Sequence, residues 1–451
     1  MKPDRIAPEG REVAVIGLGR SGVAATRLLL RAGRAVYASD AGNFPALDEL
    51  ARGLRTLGAA VDLGGHDLTR IANAGLCIVS PGVPPGAPPL VAARRAGVPV
   101  QAEAELGLEA LDGVPYIAVT GTNGKTTTTA LVAHLLASTG CHAEAAGNIG
   151  TPLSEIAMEP VPPEWLAVEL SSFQLHDMRS VEPDVGVLTN LAPDHLDRYA
   201  ALGEYYQDKG RLFLRASPDS VWVTNADDAA SQELVQGVAG RHLRFSIIGK
   251  ADGWYDRAAG LLRIGDDALL PRAELSLLGD HNVANALAAA LAVHATGVSL
   301  PEIAKGLSTF AALPHRMEPV REVGGVLWIN DSKATNIAST EVAVRSLTRP
   351  FVLLLGGRHK GEPYTRLGPL LSARCRGVIA YGEAGPLIER DLAGSATPVL
   401  AGGDFDAVMA RARGMARDGD AVLLSPACSS YDMFTNYEAR GRRFREIVES
   451  W

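Results

Sequence analysis

The chain has 451 residues, too many for one core and enough for two to four domains. Hydrophobic residues make up 47% and charged residues 21%, the balance of an ordinary folded, soluble protein. A net charge of −8 argues against a nucleic-acid partner, and four scattered cysteines signal neither a zinc knuckle nor a disulfide framework. In chain order, the opening segment MKPDRIAPEGREVAVIG lacks the apolar core of a signal peptide. The β-rich runs EVAVIG, AVYASD and LCIVSPG then alternate with helical patterns and fade into an acidic helix, QAEAELGLEAL. A second block opens at PYIAVTG and passes through WLAVELS, DVGVLTN and SVWVTN to an Ala-rich helix after GDHN. The most apolar stretch, residues 284–293, falls well short of the about 20 residues that span a bilayer. A cytoplasmic protein without membrane insertion is therefore expected. AALPHRMEPV, with Pro314 and Pro319, reads as a joint, and a third block runs VLWIND, FVLLLGG, GVIAYG, TPVLAGG and AVLLSPA. The pattern predicts an α/β fold of three domains with mostly parallel sheets, spanning 1–103, 104–312 and 313–451.

In open parallel sheets, ligands bind beyond the carboxyl ends of strands, where loops meet helix N-termini. The unusual residues of this chain gather there. GTNGKTT follows YIAV, SSFQLHD follows WLAVEL, and NLAPDHLDRY follows VGVLT. In the third block NDSKATN follows VLWI, GGRHKGEPY follows FVLLL, and SPACSSYDMF follows AVLL. A site built from the second and third sheets, facing across a cleft, is expected.

The stretch VTGTNGKTTTT nearly matches the phosphate-loop pattern G-x-x-x-x-G-K-[ST], but Val119 stands where the first glycine belongs. The binding groups all lie downstream of that position. Gly121, Thr122, Asn123 and Gly124 offer backbone N–H groups, Lys125 a point charge for β/γ-phosphates, Thr126 a hydroxyl for Mg²⁺, and Thr127 extends the turn. A second cradle, GLGRSG at 17–22, follows the first strand, with Asp40 ending the next. Gly17, Gly19 and Gly22 fit a dinucleotide fingerprint, in which Asp40 would take a ribose hydroxyl, yet any diphosphate suits the same helix end. Two phosphate sites on different domains need one explanation.

VTGTNGKTTT, GNIG, ELSSFQL, DHLDRY, GDHNVANALAA, PHRME, INDSKATN and LLSPACSS, in this order, resemble the Mur ligases over nearly the whole chain. ELSSFQL with LLSPACSSYDMF is similar to the D-glutamate-adding branch. The resemblance implies a Rossmann-like uridine-nucleotide domain, a central P-loop ATPase domain and a Rossmann-like C-terminal domain that takes the amino acid. It implies ATP-driven addition of D-glutamate to UDP-N-acetylmuramoyl-L-alanine through an acyl phosphate, in peptidoglycan synthesis, by a monomer. The phosphate loop would then hold ATP and GLGRSG the diphosphate of UDP.

By the same resemblance, two Mg²⁺ ions are held by Thr126, Glu169, His195 and Lys209, the last as a CO₂-derived carbamate. An ammonium ~4 Å from a divalent ion, at an effective dielectric near ~20, meets about 8 kcal/mol of repulsion, which a carbamate removes. Asn148 and Asn282 match positions near the γ-phosphate and adenine, and Arg316, Asp331 and Lys333 would clamp phosphates and ribose. Thr335, Lys360, Ser429 and Phe434 would receive D-glutamate; Arg20, Ser21, Asp40, Ser80 and Gly82, with Gly17, Gly19 and Gly22, would receive the UDP substrate. Tyr437 stands where relatives often have Phe. Plain alternatives remain: a helix cap for Glu169, a surface histidine for His195, and an ion-pair network for the third-domain charges. A sibling ligase, a folylpolyglutamate synthetase or an NAD-dependent oxidoreductase are the rival functions.

Overall fold

The first β-rich runs become β1 (Val13–Ile16), β2 (Val36–Asp40), β3 (Ala60–Leu63), β4 (Leu76–Val79) and β5 (Val100–Ala102). They form a parallel sheet in the order β3-β2-β1-β4-β5. β1 is apolar at every position and buried along its whole length, as a strand covered on both faces must be. The chain runs outward from β1 to β3, then returns to lay β4 on the other side of β1. That reversal opens a crevice beyond the carboxyl ends of β1 and β4. This is a computed structural model, and it describes residues 10–194, 199, 201–371, 374–395, 397–401 and 403–451.

The second sheet contains β6 (Tyr116–Thr120), β7 (Ala143–Gly147), β8 (Trp165–Glu169), β9 (Val185–Leu188), β10 (Val221–Asn225) and β11 (Arg241–Ser246). A small extension follows: β12 (Gly253–Asp256), β13 (Leu261–Ile264) and β14 (Asp267–Pro271). The order is β14-β13-β12-β11-β10-β9-β6-β8-β7, parallel from β7 to β12 and antiparallel only across β12, β13 and β14. β6 lies between β8 and β9, so the loop that leaves it opens at this sheet's own switch point. The Ala-rich segment forms the helix Asp280–Ala295, whose residues Ala286–Val293 are buried on every side.

The third sheet, β15 (Glu318–Val323), β16 (Val326–Asn330), β17 (Phe351–Gly356), β18 (Cys375–Tyr381), β19 (Val399–Ala401) and β20 (Ala421–Leu424), has the order β15-β16-β20-β17-β18-β19. Only β15 and β16 pair antiparallel. Pro319 sits on β15, an edge strand, where its missing N–H costs no ladder bond, and the register shifts beside it. The joint AALPHRMEPV leads into that strand, and His315 and Met317 within it have left-handed φ values of 65° and 43°.

By packing, the chain forms two units: residues up to Glu274 with Ala284–Ser308, and Leu275–Val283 with Thr309–Trp451. The first unit carries the first two sheets and the second unit the third. Among the described residues no helix is long and apolar enough to cross a membrane.

Tight packing inside the second sheet depends on Gly186 of β9. A Cβ there would lie 2.4 Å from Cζ3 of Trp222, which is buried, donates Nε1–H to Ala239 O at 2.7 Å and meets Phe213 edge-on. Gly186→Val should destabilise the first unit by roughly 1–3 kcal/mol through overpacking. A thermal melt of the variant, lower by several degrees, checks this; an unchanged midpoint contradicts it.

Candidate active site

β6 carries Val119 fully buried within the strand, so that position needs no glycine. The turn starts two residues later. Gly121 (φ 144°) packs where a Cβ would meet Thr189 Oγ1 at 2.0 Å, and Gly124 (φ 82°) where one would meet Asn285 Oδ1 at 2.2 Å. Both positions exclude a side chain twice, by conformation and by space. Asn190 fastens the loop: its O accepts from Thr122 N–H, its Oδ1 from Asn123 N–H, and its Nδ2 donates to Asn123 O. Thr189 Oγ1 also donates to Asn123 O at 2.6 Å. The helix Lys125–Ala137 then begins, its N-terminal N–H groups aimed along the loop.

Two lysines converge on one carbonyl oxygen. Lys125 Nζ donates to Gly121 O and Thr122 O, each at 2.9 Å, and Lys209 Nζ donates to the same Gly121 O at 2.7 Å. Lys209 is 1% exposed, and its Nζ lies 4.6 Å from the centre of the Tyr205 ring. Burial, reinforced by the Lys125 charge, pushes the Lys209 ammonium well below the usual lysine range; Asp194, Glu169 and Asp208 only partly oppose this. A desolvated amine beside a second cation is the environment that yields a nucleophilic lysine.

Glu169 ends β8 with 2% exposure. Its Oε1 accepts from Asn148 Nδ2 at 2.9 Å, while the buried Oε2 has no hydrogen-bond partner among the described residues. An unsatisfied buried carboxylate oxygen is costly unless something else, such as a cation, completes it. The helix-cap alternative for Glu169 does not hold, because Ser171 caps the following helix in a capping box with Gln174. Among the described residues no three His, Cys, Asp or Glu side chains cluster as a metal site. The expected donor set, however, contains a threonine, a lysine and His195, and His195 lies outside the described residues.

Beyond β1 and β4, a cavity of about 740 Å³ is lined by Gly17, Gly19, Arg20, Ser21, Asp40, His66, Ser80 and Gly82 among others, together with Gly147 and Asn148 from the exit of β7. Gly22 lies behind the wall, where a Cβ would come within 1.8 Å of Gly17 O. Two of these expected ligands also engage the loops. Ser80 Oγ donates to Gly17 O at 2.8 Å, and the two Asp40 oxygens accept from Leu18 N–H and Gly42 N–H, each at 2.7 Å. Asp40 thus braces the glycine turn. His66, which the sequence reading passed over, lines the same cavity and shares a 2.9 Å hydrogen bond with Ser39 Oγ. Asn148, expected near the γ-phosphate, lies between this cavity and Glu169. On the Asp280–Ala295 helix, Asn282 donates Nδ2–H to Leu278 O, whereas Asn285 abuts the phosphate loop and accepts from Thr128 Oγ1 at 3.4 Å.

In the second unit, Asp331 is buried, with Oδ1 accepting from Met317 N–H and Oδ2 from Ser425 Oγ–H. Burial pushes its carboxyl up to about 7. Arg316 lies between the left-handed residues His315 and Met317, a conformation that only a constrained segment retains. Lys333 Nζ sits 5.5 Å from the centre of the Tyr437 ring, so the Tyr found in place of Phe bears on an expected ligand. Lys360 Nζ donates to Thr335 Oγ1 at 3.2 Å, and Ser429 Oγ to Arg358 O at 3.3 Å. Phe434 packs edge-on against Phe405 at the border of a core cluster. Arg440, also passed over in the sequence, is fully buried and ties these loops, donating to Ser332 Oγ, Ser332 O and Cys428 O.

Gly124→Ala places a methyl group against Asn285 and forces alanine into a left-handed turn. The affinity for a nucleoside triphosphate should fall at least about tenfold, since each 1.4 kcal/mol of strain is one decade. Titration with a fluorescent ATP analogue reads this directly, and wild-type affinity in the variant contradicts the loop assignment.

Three domain families match the chain: Mur ligase MurD-like, N-terminal domain at residues 11–102; Mur ligase middle domain at 119–293; and Mur ligase, glutamate ligase domain at 315–428. The UDP-N-acetylmuramoylalanine–D-glutamate ligase of Myxococcus xanthus is 41% identical over 455 residues, covering 99% of both sequences. Among solved structures, the UDP-N-acetylmuramate-alanine ligase MurC of Thermotoga maritima shares the fold at a TM-score of 0.61 and 20% identity, over 98% of this chain and 99% of its own. The MurF ligase of the same organism, solved in complex with ADP, gives 0.59 at 18% identity, over 98% and 95%. With two phosphate cradles on two parallel sheets and a full-length relative at this identity, the chain belongs to the Mur ligase family.

Proposed function

We propose that this chain is an ATP-dependent ligase that joins D-glutamate to UDP-N-acetylmuramoyl-L-alanine in peptidoglycan biosynthesis, releasing ADP and phosphate. The observation that carries the reading is the pairing of Lys125 and Lys209 on Gly121 O, with Oε2 of Glu169 buried and without a hydrogen-bond partner among the described residues. The functional parts we assign are 1–103 for the UDP substrate, 104–312 for ATP and 313–451 for the amino acid, in a cytoplasmic monomer acting on small molecules.

The carboxylate of the substrate attacks the γ-phosphorus of ATP, and ADP leaves. The amine of D-glutamate then attacks the resulting acyl phosphate, and phosphate leaves as the amide forms. Both partners of the first step are anions, so close neutralisation of charge is the main task of the site. Lys125 turns from Gly121 O and Thr122 O toward the β/γ-phosphates, and the N–H groups of residues 121–127 line the phosphate chain. Thr126, Glu169, His195 and the Lys209 carbamate are the residues we assign to Mg²⁺, which when bound withdraws charge from the phosphoryl oxygens. Burial, which lowers the hold of the Lys209 ammonium on its proton, favours the carbamate: the lone pair of the neutral amine adds to CO₂, an N–C bond forms as one C=O π bond opens onto oxygen, and one proton leaves to solvent. Asn148 orients Glu169 through its Nδ2–H. The glycine turn at 17–22, with Arg20 and Ser21, takes the diphosphate, and Ser80, Gly82 and the braced Asp40 shape its cavity. In the second unit Arg316, Asp331 and Lys333 are assigned to the nucleotide, with Asn282 from the helix start. Thr335, Lys360 and Ser429 provide one cation and two hydroxyls for the two carboxylates of D-glutamate, and Phe434 backs them.

Phosphate release from ATP, with Mg²⁺ and UDP-N-acetylmuramoyl-L-alanine, should depend on D-glutamate and not on L-glutamate, lysine or diaminopimelate. A preference for any other amine overturns the substrate assignment. Lys209→Ala should lose nearly all turnover and recover part of it with added short-chain carboxylates, while intact-mass analysis of the native chain finds one CO₂ adduct. No adduct and no rescue together would remove the carbamate from the mechanism.

A further inference from the structure

β3 ends in a turn that folds back over the exit of β2. Gly64 N–H donates to Gly42 O at 3.0 Å, and Gly65 N–H to Asp40 O at 3.2 Å. Asp67 N–H donates to the Tyr37 hydroxyl at 2.8 Å, and the Asp67 carboxylate caps the helix Leu68–Ala72. Between these anchors stands His66, on the wall of the 740 Å³ cavity. Ser39, which has no exposed surface, holds His66 Nδ1 through Oγ at 2.9 Å, while Nε2 has no partner among the described residues. Burial pushes the ring below the usual histidine range, against the pull of Asp40, so it is neutral at physiological pH. Most other polar side chains of this wall already have protein partners. Both Asp40 oxygens take backbone N–H groups, Ser80 donates to Gly17 O, and Asn148 donates to Glu169. Arg20 and Ser21 stand at the glycine turn, and beyond β4 the wall is apolar, with Pro81, Val83, Pro84 and Ala87. His66 brings to the wall a ring atom that no described protein group uses.

We propose that His66 recognises the nucleoside end of the UDP substrate, its Nε2–H donating to the outer carbonyl oxygen of uracil, O4. This rests on the reading of that cavity as the UDP-substrate site. The order of strand exits supplies the direction. Asn148 joins the cavity to Glu169, so the sugar and its peptide lie toward the exit of β7. The diphosphate takes the turn after β1, and the ligand continues from there through ribose to base. β2 and β3 come next in the sheet, in that order, on the side of β1 away from β4. Ribose therefore falls beside Asp40 at the exit of β2, and the base beside His66 from the exit of β3. The buried Ser39 hydroxyl gives its hydrogen to Nδ1, so the neutral ring carries its proton on Nε2 and meets the ligand as a donor. Uracil offers an acceptor at O4, where cytosine carries an amino group. Two donors set against each other leave both unpaired, so the contact selects uracil. Its anchors fix the donor before the ligand arrives, and little freedom is lost on binding.

The test titrates the full chain with UDP-N-acetylmuramoyl-L-alanine and with its CDP counterpart, which differs only along that edge of the base. Both dissociation constants are read. Wild type should bind the uridine ligand about tenfold more tightly, the size of one hydrogen bond against an unpaired donor. His66→Leu should lose about tenfold for the uridine ligand and nothing for the cytidine ligand. His66→Gln, which keeps an N–H donor, should recover most of that loss. ATP affinity monitors the fold of each variant. Equal losses for both ligands would make His66 a loop fastener and overturn the proposal, as would equal binding of both ligands by wild type. The wild-type comparison needs no variant, so it decides even where His66→Leu does not fold. Failure of the wild type to bind the uridine ligand at all would instead fall on the assignment of the cavity.

Discussion

The first unit turns on a single backbone oxygen, Gly121 O, which accepts from two lysine Nζ groups. Two lysines converge there because the phosphate loop closes without side chains at Gly121 and Gly124 and is pinned by Thr189 and Asn190 from the neighbouring β9 exit. Like charges held close are stable only with counter-charge at hand. Asp194, Glu169 and Asp208 supply part of it, and burial of Lys209 takes its amine toward the neutral form for the rest. In the proposed reaction, triphosphate and carbamate complete the balance.

The same economy of charge runs outward from this point. Glu169 leaves one oxygen open and gives the other to Asn148, which also faces the cavity beyond β1 and β4. Asn148 thus touches Glu169 on one side and lines the same cavity as the glycine turn at 17–22 on the other. Ser80 and Asp40 hold that turn through its backbone, and buried Glu103 accepts from Ser154 N–H just beyond the β7 exit loop. In the second unit Arg440 does comparable work, satisfying carbonyl oxygens of two loops that carry candidate ligands. Buried charge here organises loops, which a purely apolar packing would leave to slide.

The candidate site was legible wherever its chemistry is contiguous in the chain. Gly-Lys-Thr after an apolar strand announces an anion-binding turn because strand, turn and helix start are consecutive residues. Glu169 and Lys209 carry no such local mark and were reached through resemblance. Asn285, Asn190, Thr189 and Arg440 were missed altogether. Each is a common polar type on a helix or loop, and each meets its partner only when segments far apart in sequence are brought together. Glu103 was read as part of an acidic helix, since periodicity does not reveal that its first turn points inward.

By itself, the sequence determined the alternation of buried strands and helices, the mostly parallel sheets, the two glycine cradles and the membership of the family, because each follows from local pattern or from motifs in a fixed order. Tertiary structure alone decided that Asp40 and Ser80 serve the loop backbone, and that two lysines share one carbonyl. Burial and hydrogen-bond partnership are properties of the space around a side chain. They arise only after distant segments pack, and no reading of neighbours along the chain contains them.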